Sequence, residues 1–130
     1  METERIIMED YRGVLYIETR MNDEFTLNDL NVIRDEIRKK YSHPVDVICK
    51  RAGSYSVALS AQTEARKGIE EFRNFVYVVD DMVKKQSARY ATFSYMARYN
   101  AQVAKSKEKA FEILRKISSY KKLENNKRPG

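Results

Sequence analysis

Phe75-Val76-Tyr77-Val78-Val79, followed by Asp80-Asp81, a Tyr-rich amphipathic segment and then Ser106-Lys107-Glu108-Lys109-Ala110-Phe111-Glu112-Ile113-Leu114, decides the fold class. Five apolar residues without polar alternation form a strand that must be covered on both faces, as in a sheet with crossover helices. The order is β-α-β-α, so the chain reads as α/β. Working toward the N-terminus, Val45-Asp46-Val47-Ile48-Cys49 is a second strand of the same apolar kind. Before it, Leu30, Ile33, Ile37 and Tyr41 recur at helical spacing. Thr26 and Asp29 supply an acidic capping box at the start of that helix, and Pro44 ends it by disfavouring helical geometry at His43. The first two strands, Arg5–Asp10 and Val14–Thr19, flank Tyr11-Arg12-Gly13 and read as a hairpin.

Two stretches are less regular. Across residues 50–59, Ala52-Gly53-Ser54 marks a turn, whereas Tyr55, Val57 and Leu59 alternate with small residues as a strand would, so a loop and a hairpin return both fit. Ser60 is the expected N-cap of a helix that runs through Glu64-Ala65-Arg66. The Tyr-rich helix is expected over 82–100. On a 100° wheel, Met82, Gln86, Tyr90, Phe93 and Ala97 form the stripe expected to feed the core, and Lys84, Ala88, Tyr95 and Tyr99 lie opposite. Two tyrosines beside a lysine suit a protein interface, because Tyr joins a large apolar area to a polar tip. Tyr95, Tyr99 and Lys84 are therefore the candidate partner surface, with a homodimer among the possible users; the alternative is a helix buried on two sides.

At 130 residues the chain is one domain, expected over 1–123 with a flexible basic tail over 124–130. The acidic start Met1-Glu2-Thr3-Glu4 is unlike a signal peptide, and no apolar run approaches the roughly 20 residues of a membrane span. The single cysteine, Cys49, sits within an apolar strand, which favours a reducing, cytoplasmic setting and no membrane. Net charge is +6, divided unevenly: residues 1–81 carry 12 Lys and Arg against 16 Asp and Glu, and residues 82–130 carry 13 against 3. The basic half includes Lys84, Lys85, Arg89, Arg98, Lys105 and Lys107 near several tyrosines, but no nucleic-acid reading motif accompanies it, so nucleic acid is not the expected partner. A solvated face explains the charge as well.

Catalytic patterns are absent. His43 is the only histidine and stands at a helix end, and no Gly-rich phosphate loop, Cys-x-x-Cys pair or His-Glu-x-x-His pattern occurs, so no catalytic residue, metal or cofactor is expected. Asp80-Asp81 could hold a cation or cap the next helix.

From Ser60 to Leu114 the pattern resembles the SpoIIAA-like, or STAS/Sec14-like, family of small bacterial proteins. It has a Ser and Glu-Ala-Arg helix (Ser60, Glu64 to Arg66), a valine strand ending in a polar pair (Val76 to Asp81), an aromatic helix (Val83, Tyr90, Phe93), and a terminal helix opened by Ser106 to Ala110. The resemblance implies a single STAS-like domain, a mixed sheet opening with a hairpin, helices mostly on one face, and no enzyme activity. Anti-sigma-factor antagonists of this fold carry a phosphorylated serine in an Asp-Ser-Ser/Thr-Gly motif; here Arg51-Ala52-Gly53-Ser54-Tyr55-Ser56 stands instead, so that site does not carry over. Ser54, Ser56 and Ser60 remain as hydroxyls near a helix start, fit either for phosphate or simply for turns and caps. The expected function is a non-enzymatic interaction or regulatory module with an unidentified protein partner. The alternatives are a carrier of a small apolar ligand, which an apolar cavity between helices and sheet would distinguish, and weak nucleic-acid binding.

Overall fold

The computed structural model describes residues 1–127, and the side chains of residues 1–118. Strands β1 (Ile6–Tyr11) and β2 (Val14–Thr19) pair antiparallel across a two-residue turn in which Arg12 and Gly13 both adopt positive φ, +54° and +89°. That is the geometry of a type I′ hairpin turn, whose twist matches the strands it joins. Helix α1 (Leu27–Lys40), strand β4 (Val45–Arg51), helix α2 (Leu59–Lys67), strand β6 (Phe72–Val78), helix α3 (Met82–Phe93), strand β7 (Gln102–Ala104) and helix α4 (Lys107–Lys127) follow. The five-stranded sheet runs β1-β2-β4-β6-β7, and every pairing after the hairpin is parallel. Two further strands of two residues each, β3 (Glu24–Phe25) and β5 (Ser56–Val57), pair parallel as a separate small sheet.

The uninterrupted apolar strand is explained by its two coverings. Phe75, Tyr77 and Val79 join the cluster beneath α1, α2 and α3, whereas Val76 and Val78 pack under α4 with Ile48, Ala104, Ala110 and Leu114. Three helices lie on one face of the sheet and one on the other. Each buried valine contributes roughly 1.5–3 kcal/mol of transfer free energy, and both faces need it because neither is wet.

Sequence and structure part at several points. Residues 50–59 form neither a plain loop nor a hairpin return: β4 extends to Arg51, and β5 pairs with β3 instead of folding back. Helix α2 starts at Leu59 with Ala58 at its N-cap and no side-chain cap, so Ser60 lies inside the first turn. Thr26 and Asp29 do form a reciprocal capping box on α1, and Asp81 caps α3 by accepting from Lys84 N at 2.8 Å. Helix α4 continues to Lys127, into the segment expected as a tail; Arg128–Gly130 lie outside the described residues.

Three buried carboxylates tie the elements together. Asp29 accepts Arg5 Nε at 2.9 Å, and the same guanidinium reaches Asp23 and the Glu24 carbonyl, fastening β1 to the start of α1 and to β3. Asp46 accepts Arg73 Nε at 2.9 Å and Asn74 Nδ2 at 2.9 Å. Glu71 accepts from Arg34 and Arg38, each at 2.8 Å. Burial alone would raise the pKa of each acid, but these bonds to arginine and to backbone or asparagine N–H groups outweigh it and hold all three below their ordinary values.

A depressed pKa stabilises the folded state fully above the unfolded pKa and loses that contribution as pH falls through the folded one. Stability is therefore expected to hold from neutral pH down to about pH 4.5 and to fall steeply below it, as these acids protonate. Urea midpoints measured at pH 7, 4.5 and 3 check this, and Asp46→Asn should flatten the acid limb. A midpoint unchanged between pH 7 and 3 would exclude it.

Candidate functional site

The parallel strands deliver their carboxyl ends to one side of the sheet, the side on which open α/β sheets place ligands. Thr19 ends β2, Cys49 and Arg51 lie near and at the end of β4, and Tyr77 lies near the end of β6. On the three-helix face these residues meet Leu30 and Ile33 of α1, Ala61 and Ala65 of α2, and Tyr95 and Met96 beyond α3. Together with Phe25 and Val57 of the β3/β5 pair and Tyr55, they line a partly open cavity of about 60 Å³. The lining is apolar apart from a few placed polar groups.

Among those groups Arg51 stands out. Its side chain shares a face of β4 with Val47 and Cys49, because alternate residues of a strand point the same way, and it is only 3% exposed. Nη1 donates to Ser87 Oγ on α3 at 2.8 Å, Nη2 donates to the Tyr55 carbonyl at 2.8 Å, and the guanidinium lies 4.3 Å from the centre of the Tyr55 ring. Nε is buried and has no partner among the described residues. No carboxylate of the described residues pairs with this guanidinium; Asp80 and Asp81 turn to Lys84 instead.

The cavity's other ionisable groups do not supply a negative charge. Burial pushes the Cys49 thiol up to about 11 and raises the phenols of Tyr55, Tyr77 and Tyr95, so all four are neutral at physiological pH. A protonated, buried thiol is not a nucleophile. The Tyr55 hydroxyl pairs with Thr19 Oγ1 at 2.7 Å, which fixes the ring that stacks on Arg51.

Tyr95 and Tyr99 are not a surface. They are 7% and 4% exposed, and the Tyr99 hydroxyl donates to the Ala65 carbonyl at 2.6 Å while accepting from Ile69 N at 2.7 Å. Lys84 is also occupied, with Nζ donating to the Ala52 carbonyl at 3.1 Å. A helical wheel does not apply to either tyrosine, because the helix stops before Tyr95. Helix α3 approaches the core through the small side chains of Ala88 and Ala91, ends at Phe93, and the backbone then bends through Ser94 into a single 3-10 turn, Ala97–Tyr99, that brings Tyr95, Met96 and Tyr99 inward. The large apolar residues of the stripe expected inside, Met82, Tyr90 and Phe93, are on the outside, Phe93 being 86% exposed, and Val83 beside them is exposed as well.

The remaining candidates are dispersed. Ser54, Ser56 and Ser60 are exposed, on the turn after β4, in β5 and in α2 respectively. The basic residues do not gather into one reading surface: Lys107 lies 3.7 Å from the Tyr11 ring centre on the α4 side, Arg98 donates to the Arg66 carbonyl, and Lys85, Arg89 and Lys105 flank a depression between α3 and β7. His43 is exposed. Among the described residues no group of three or more His, Cys, Asp and Glu could hold a metal ion, and no helix is long and apolar enough to cross a membrane.

This architecture is found in a solved structure. An uncharacterized protein of the DUF3478 family with a SpoIIAA-like fold, from Shewanella loihica PV-4, superposes with a TM-score of 0.55 over 88% of this chain and 98% of its own, at 13% sequence identity. The fold is SpoIIAA-like. At that identity the SpoIIAA-like likeness speaks for the arrangement of strands and helices and leaves the chemistry to this chain's own residues. No protein-family profile and no curated protein matches the sequence.

Proposed function

We propose that this SpoIIAA-like domain is a non-enzymatic, cytoplasmic module that holds a small apolar ligand between its sheet and the helices α1 and α2. The observation that carries this reading is the cavity of about 60 Å³ itself, since close-packed cores leave few voids larger than a water molecule and this one is lined largely by apolar side chains. Its position at the carboxyl ends of the parallel strands agrees with where open sheets bind ligands. The neutral thiol and phenols argue against a nucleophile or general base in the cavity, which supports a binding role over catalysis.

Xenon is a suitable probe because it enters apolar voids without needing polar contacts. Under xenon pressure, methyl resonances of Ile17, Ala61 and Ala65 should shift together and saturably. Unchanged methyl resonances there would overturn the reading.

A second reading rests on the outer face of α3, where Met82, Val83, Tyr90 and Phe93 are exposed. Such a stripe fits a protein partner or a second copy of the chain. In that reading the contact surface is this stripe, and the buried Tyr95 and Tyr99 take no part in it.

A further inference from the structure

We infer that the small, mainly apolar ligand of this cavity carries one anionic head: it is a short-chain monocarboxylate whose head is held by Arg51 and whose apolar tail lies against the sheet. This inference rests on the cavity being a ligand site. The geometry supplies what such a ligand needs. Arg51 is buried, a guanidinium keeps its charge throughout the physiological range, and one of its three nitrogens, Nε, has no acceptor among the described residues. Ser87 and the Tyr55 carbonyl accept from the other two nitrogens but bring no negative charge, and the cavity's thiol and phenols are neutral.

An unpaired buried charge is among the costliest features a core can carry, and native proteins pair such charges or use them. A carboxylate is the matching acceptor, because the planar guanidinium presents N–H groups in a fork that fits its two oxygens. Stacking on Tyr55 and the bonds to Ser87 and Tyr55 hold the guanidinium in one orientation, so little side-chain freedom is left to lose on binding.

Size limits the tail. The cavity volume of about 60 Å³ is well under the roughly 150 Å³ of a void that holds benzene, so it takes only a short tail of a few carbons and excludes a long acyl chain. Cys49, Tyr77, Tyr95 and Ala65, which line the same cavity, offer that tail apolar surface.

The test compares butyrate with its neutral isostere butyramide on the full chain, by titration followed through the Arg51 Nε–H resonance and by calorimetry. Butyrate is expected to bind at least about tenfold more tightly than butyramide, the discrimination typical of a charge-assisted hydrogen bond, and to shift the Nε–H signal downfield. Arg51→Met should abolish that preference; the wild-type comparison stands even if the variant folds poorly. If xenon shifts the cavity methyls but butyrate binds no better than butyramide, the anion inference is overturned and the cavity reading stands. If neither xenon nor butyrate perturbs the cavity, both fail.

Discussion

Val78→Asp is expected to remove most of the domain's stability. Val78 is 6% exposed in the layer between the sheet and α4, with Ile48, Val76 and Leu114 in the same cluster. Apart from the half-buried Lys50, its register partner on β4, the layer around it is apolar, so an aspartate there is held inside mainly in its protonated form. Holding a carboxyl of ordinary pKa neutral at pH 7 costs about 4 kcal/mol, from roughly three pKa units at 1.36 kcal/mol each. Loss of the valine's own burial adds roughly 1.5 kcal/mol or more. The total, about 5–6 kcal/mol, is comparable with the whole stability of many small domains. The mechanism leaves a signature: the gap between variant and wild-type urea midpoints should narrow as pH falls from 7 toward 4. A Val78→Asp protein as stable as wild type at pH 7 would contradict the packing of β6 against α4.

Gly53→Ala should have the next largest effect, for a reason that involves space and not helix or strand preference. A Cβ at Gly53 would stand 1.9 Å from the Met21 carbonyl oxygen and 2.7 Å from that of Arg20, both backbone atoms that cannot swing aside. Ala52 and Gly53 also donate their N–H groups to the Thr19 carbonyl at 2.9 Å each. Moving the turn to admit a methyl group therefore breaks these bonds as well as overpacking the site, a cost of about 3 kcal/mol. For a chain of this length that corresponds to a fall in Tm on the order of 10 °C, measured by circular dichroism. Because Thr19 and Arg51 flank the same turn, the variant should also lose the xenon response of the cavity. An unchanged Tm would mean that the two loops do not meet as described.

How much of this could be read from the sequence depends on the range of the interaction that decides each feature. The hairpin turn at Arg12-Gly13, the Thr26/Asp29 capping box and the Asp81 cap are local, and their residues announce them. The doubly covered strand was legible because five consecutive apolar residues have few other uses. Helix α3 is harder to read because large apolar residues suggest the inner face, whereas close approach to the core selects Ala88 and Ala91. Its end was equally hidden, since nothing at Ser94 forbids another helical turn; the bend follows from where Tyr95 and Tyr99 find space and hydrogen-bond partners. The β3/β5 pair joins residues more than thirty positions apart, beyond any periodicity.

Arg51 carries a usable signal in the sequence. Val47, Cys49 and Arg51 alternate on one face of β4, so the face that buries the first two turns the third inward unless the strand ends before it. The strand runs on to Arg51, and the charge arrives in the cavity with it. What the alternation alone does not give is the absence of a carboxylate to meet it, which depends on residues from β2, β6 and α3.

The order of the sheet also governs how quickly the molecule can assemble. The β1/β2 pairing closes across two residues and can form within about 1–10 μs, before anything else in the sheet exists. Each later pairing is parallel and must wait for an intervening helix to span the distance, with β2 meeting β4 only after residues 20–44 have been looped out. The hairpin is thus a template without a second half until β4 arrives, and the rate-limiting event in refolding is expected to be the docking of β4 onto β2, carrying Arg51 past Thr19 as it closes.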